Sequence, residues 1–131
     1  MANPNIVNVT AIYGITTYYA PTGTTAVVLL PNAASSGKVF KINQIVASNG
    51  TGTAANATVS VYSNGAVAQG SAPSGGTAYP VVNTISVPSY ASLIAVDKTT
   101  AIYLMEGHSI AITSGTANAL TFTISYEEIS S

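Results

Sequence analysis

Any acid–base chemistry in this chain would begin at His108, the only histidine, which follows Glu106 and Gly107 in the stretch DKTTAIYLMEGHSIAIT, residues 97–113. A Ser-His-Asp relay would need His108 as the base and Asp97, the only aspartate, to orient it, yet no serine lies in a nucleophile-elbow sequence. Glu127 and Glu128 are adjacent, so in a strand they point to opposite faces and cannot close on one ion or share acid and base roles. Glu106 and His108 offer two metal ligands at most, and the absence of cysteine removes disulfides and thiolate zinc sites. The glycines of 50–53 and 75–76 open no helix and precede no P-loop lysine, so they are turns and not phosphate cradles. Three lysines and no arginine cannot line a phosphate-tracking groove. The expectation is a chain that is not an enzyme, has no cofactor or metal, and binds no nucleic acid.

The elements that would position these residues are strands. Residues 119–130, ALTFTISYEEIS, alternate Leu120, Phe122, Ile124 and Tyr126 against Thr121, Thr123 and Ser125, the cleanest period of two in the chain. Residues 97–113 divide into two alternating runs about Glu106-Gly107-His108, which predicts a hairpin with Ile102, Leu104, Ile110 and Ile112 facing the interior. Further strands are expected at 6–13, 24–30, 38–48, 58–63, 79–87 and 92–97; in 38–48 the interruption at Gln44 fits a bulge or a polar interface position. Residues 14–23 read as a tyrosine-bearing link and 64–78 as a flexible loop, with room for a short edge strand at 66–69. No window has the period, caps and length of a helix. Eight or nine short strands predict one all-β domain over 1–131, an antiparallel β-sandwich of jelly-roll-like connection, with an up-and-down barrel as the alternative. The longest purely apolar run is 26–30, so neither a secretion signal nor a membrane span is expected.

Charge is the unusual property. Charged residues make up 5% of the chain with a formal net charge of -1, where an ordinary globular domain carries about 25%. Free monomers use interspersed charge to stay apart from their copies, so a surface this neutral suits a protein held in an assembly. The apolar strand around Val27, Val28 and Leu29, together with Tyr13, Tyr18, Tyr19 and Tyr103, supplies the expected contacts between subunits or with a partner. A homo-oligomer is expected, and a trimer is the expected order.

The strings NIVNVTAIYG (5–14), NAASSGKVFKINQI (32–45), VPSYASL (87–93), DKTTAIYLMEGHSI (97–110) and SYEEIS (125–130) resemble small virion-associated proteins of tailed bacteriophages, especially phages of marine bacteria and cyanobacteria. The resemblance covers most of the chain outside 64–78. It implies a virion structural protein, made in the host cytoplasm and bound to the major capsid protein as a decoration or cement protein on the capsid surface. A receptor-binding or tail-fibre module and a self-polymerising appendage subunit are the rival expectations.

Overall fold

The computed structural model describes residues 10–130, and in them two antiparallel sheets pack face to face with no α-helix. One sheet, sheet I, is ordered β1 (Ala11–Tyr19), β9 (Leu120–Ser130), β3 (Lys38–Asn49) and then β6 (Ser92–Val96), with β7 (Ile102–Leu104) also paired to β3. Sheet II is ordered β2 (Val27–Asn32), β8 (His108–Ser114), β4 (Ala55–Tyr62) and β5 (Ala78–Val87). A single 3-10 turn, Lys98–Thr100, separates β6 from β7. Among the described residues both sheets keep open edges, so these strands do not close into an up-and-down barrel. The expected strand at 6–13 lies mostly outside the described residues. Residues 14–19, expected as a link, continue β1 because β9 supplies an unbroken ladder from Ala11↔Ser130 to Tyr19↔Phe122.

Alternation decides which side chains enter the core. On β9, Leu120, Phe122, Ile124 and Tyr126 point inward and are buried, and they meet Ile42, Ile45 and Ala47 of β3. Leu29, Leu30, Val59, Ile110 and Ile112 enter from sheet II. The interruption at Gln44 is a bulge: the β3–β9 register shifts between Ile42 and Gln44, leaving Asn43 as the extra residue. Pro31 is accommodated inside β2 because β2 is an edge strand, where a missing N–H need not cost a ladder bond.

Residues 97–113 do not form the expected hairpin. Leu104, Ile110 and Ile112 are buried as expected, but β7 pairs with β3 in sheet I while β8 pairs with β2 and β4 in sheet II. The chain crosses between the sheets at Met105–Gly107, where Gly107 adopts φ +76°, a conformation that favours glycine. Both runs have one inward face in either arrangement, so alternation alone cannot separate an arch between sheets from a hairpin within one.

Most connections are such crossings, and their ends place backbone groups where no ladder partner exists. Two buried asparagines satisfy them. Asn32, at the end of β2, donates from Nδ2 to the carbonyls of Lys38 (3.0 Å) and Leu104 (3.1 Å), accepts from Ser36 Oγ, and its carbonyl accepts Gly107 N–H. Asn49, at the other end of β3, donates to the carbonyls of Thr53 (2.8 Å) and Val87 (3.1 Å) and accepts from the N–H and hydroxyl of Thr51. Each side chain therefore ties sheet I to sheet II, and the two ties close opposite ends of the sandwich.

Residues 63–77 contain no strand, so the short one expected at 66–69 is absent. The segment leaves β4, reaches Ser109 of β8, whose hydroxyl donates to Asn64 O, and continues to the edge of β2, where Gly70 and Ser71 exchange backbone bonds with Val28. It returns past Tyr62, whose hydroxyl donates to Gly76 O and accepts Gly76 N–H, into β5. Outward-facing Val28, Ser60, Tyr62, Ser109 and Ala111 are buried on this side of sheet II. Gly65 lies so close to the arch that a Cβ there would meet Asn32 O at 2.0 Å and His108 O at 2.7 Å.

Replacing Asn49 by alanine is expected to lower the unfolding free energy by about 2–3 kcal/mol, because the buried Val87 carbonyl loses the amide donor that joins it to β3, while the exposed Thr53 carbonyl keeps the Thr51 hydroxyl. Gly65→Ala is expected to be comparably damaging, and Leu104→Asp to abolish folding; urea denaturation followed by circular dichroism measures all three.

Candidate interaction surfaces

The groups that could have done chemistry are held in structural roles. Asp97 caps the 3-10 turn: Oδ1 accepts from Thr99 N–H and from the Thr99 hydroxyl, and these bonds hold its carboxyl below the usual carboxylate range. Glu127 accepts from Asn43 Nδ2 at 2.9 Å, while Glu128 lies 3.4 Å from Lys38 Nζ. The latter pair is part-exposed and contributes about 0–1 kcal/mol. His108 Nδ1 lies 3.1 Å from the carbonyl of Glu106, in the arch between β7 and β8. Among the described residues no three carboxylate or imidazole groups come together in a way that could hold a metal ion. None of the described helices is long and apolar enough to cross a membrane.

The expected contact residues divide sharply. Val28 and Leu29 have 0% of their surface exposed, so they are covered by the chain itself and are not available to a partner; Val27 is half-buried. A bulge between Val28 and Leu30 lets adjacent residues both turn away from solvent, Leu29 into the core and Val28 beside Gly70 and Ser71. The tyrosines are different. Tyr13 is 59% and Tyr18 69% exposed on β1, Tyr103 is exposed on β7, and Tyr19 is half-buried against Gly70. These residues do not form one patch: Tyr103 on β7 sits opposite Lys41, with β9 and β3 between it and β1.

A second exposed set was not expected from sequence: Tyr79, Val81 and Ile85 on β5, Tyr90 in the following turn, and Ile94 on β6. All lie along the side of the sandwich where β5 and β6 end their sheets. The available signal was the absence of any charged residue between Lys41 and Asp97. In three dimensions this segregates charge, because every charged side chain lies on sheet I or in the turns adjoining it, and the strands of sheet II carry no carboxylate or ammonium group.

A shallow cleft of about 300 Å³ is lined by Asn43, Gln44, Asp97, Lys98 and Ser125. The β3 bulge and the 3-10 turn together form it on the outward face of sheet I. Amide, hydroxyl, carboxylate and ammonium groups of these side chains offer hydrogen-bond donors and acceptors around a lining that is otherwise mostly apolar. Comparison of the chain with protein-family models, with curated proteins and with solved structures finds no match.

Tyr126 is a buried ionisable group of the core. Its ring packs on Phe40 with centroids 5.0 Å apart, and burial, then the nearby Glu128 charge, push its hydroxyl above the ordinary 10.0. The folded state thus retains this proton more tightly than the unfolded chain, so the contribution is intact below pH 10 and is lost as pH rises through the folded-state value. Denaturation at stepped alkaline pH is expected to show stability falling above pH 10, with a smaller fall in Tyr126→Phe.

Proposed function

We propose that this chain is a virion structural protein of a tailed bacteriophage, a decoration or cement protein that binds the major capsid protein on the outer lattice and stabilises it. The observation that carries the reading is the neutral surface: a sandwich whose exposed edges display tyrosine, isoleucine and valine, with charge confined to sheet I and its adjoining turns. Such a surface gains from being covered and carries no like-charge penalty when copies are brought together. The strand order supports the same reading. Taking β6 and β7 as one interrupted strand, the order β1-β9-β3-β6/β7 over β2-β8-β4-β5 favours a jelly-roll reading of the sandwich, an architecture used for viral capsid and lectin domains. The resemblance of the sequence strings to phage virion proteins adds to it.

Copies on a lattice would bind repeated sites, and clustering about a symmetry axis, threefold by our expectation, would multiply weak contacts into avidity. A second reading rests on the cleft at Asn43, Gln44, Asp97, Lys98 and Ser125, where a few polar groups are set in a mostly apolar lining: a receptor-binding module that holds glycan rings and hydroxyls. Labelling the protein in virions and imaging them separates the two. Uniform labelling of the capsid lattice is expected. Label restricted to the tail tip, with glycan binding by the isolated protein, would replace cementing by receptor binding.

A further inference from the structure

The two sheets have four edges among the described residues, and three of these are blunted. β2 is capped by Gly70 and Ser71. β5 contains Pro80, Thr84 at φ +54° and two register shifts against β4, devices that disfavour strand addition. The β6/β7 edge is split into runs of five and three residues by the 3-10 turn. The fourth edge, β1, is different. It has nine residues, no charge, no proline and no bulge, and its open side has no backbone partner among the described residues.

Ladder geometry shows which groups that open side presents. Gly50 N–H donates to Ala119 O, so odd-numbered residues at this end of β9 bond to β3 and even-numbered ones to β1. The register Tyr19↔Phe122 then makes the odd residues of β1 the bonded set. Ile12, Gly14, Thr16 and Tyr18 are left with their N–H and C=O groups directed away from β9. Consistently, the Tyr18 carbonyl accepts a long side-chain bond from Gln69 Nε2 at 3.5 Å.

We propose that β1 pairs antiparallel with β1 of a second copy about a twofold axis, joining two copies of sheet I into one continuous sheet. The occupant follows from the strand's self-complementarity. In the register that pairs all nine residues, Ile15 meets its own symmetry mate, Gly14 lies opposite Thr16, and Ile12 lies opposite Tyr18. The outward-directed donors and acceptors of the even residues coincide, the Tyr18 carbonyl exchanging its long Gln69 bond for the second copy's Ile12 N–H, and two Ile–Tyr pairs form on the outward face from side chains that are 53% and 69% exposed in the single chain. No charge opposes another. Gly14 gives the Thr16 side chain room, since nothing lies within 4 Å of a Cβ built there. This contact is closed and involves no capsid residue, so it stands apart from the cement reading and is compatible with threefold contacts formed elsewhere on a lattice.

The chain lacks cysteine, so a single introduced one reports the contact cleanly. Oxidised Ile15→Cys is expected to become a disulfide-linked dimer, since the two sulfurs meet in a non-hydrogen-bonded pair on the axis, whereas Thr17→Cys, displaced from it, is not. Light scattering of the unmodified protein is expected to give two copies or an even multiple. The double variant Ile12→Asp, Tyr18→Asp places like charges opposite each other twice and is expected to dissociate the contact; Ile12→Asp, Tyr18→Lys is expected to retain it. A monomer, an odd copy number, an open filament, failure of Ile15→Cys to cross-link, or indifference to the paired aspartates would overturn the proposal. Circular dichroism of each variant separates dissociation from unfolding.

Discussion

The structure depends on satisfying backbone polar groups where the chain passes from one sheet to the other. A sandwich built of hairpins would bond most of its turns locally, but here the connection from β4 to β5 is the one described case in which consecutive strands pair with each other. The other crossings leave carbonyls and N–H groups at the ends of a dry core. A charged side chain could bond to them only at a large desolvation cost. Asn32 and Asn49 satisfy them without charge, each through an amide that donates twice and accepts at least once. They also tie the sheets to each other, because each amide reaches carbonyls of more than one element.

The same economy of charge shapes the exterior. With its few ionised groups confined to sheet I and its adjoining turns, the sandwich uses covering segments, bulges and proline to protect its edges. Residues 63–77 bury outward-facing Val28, Ser60 and Tyr62 on sheet II. The cost is an edge and a flank that remain apolar in the single chain. In a freely diffusing protein these are aggregation liabilities; in an assembly they are contacts, which is the link from composition to the proposed function.

Much of this was legible in the sequence, for physical reasons that differ by element. The strict alternation of Leu120 to Tyr126 gave the inward face of β9, and the misplaced Gln44 gave the bulge in β3. The partner of each strand was not legible: Ile102 and Leu104 have the same pattern in a hairpin or an arch, and only the glycine at 107 and the tie to Asn32 distinguish them. Burial of Val28 could not be read because its cover is a non-periodic segment distant in sequence. Tyr13 and Tyr18 were legible as surface aromatics, but Tyr79 and Tyr90 were not, since their exposure comes from β5 being an irregular edge strand and not from any local motif.

The proposed attachment to a repeating lattice would account for the neutral surface. Its most direct test is binding of purified protein to capsids lacking it, measured from about 50 mM to about 500 mM salt, a range across which screening removes most exposed charge–charge attraction. The account predicts saturable binding that changes little with salt. Absence of binding, or affinity that collapses as salt rises, would contradict it.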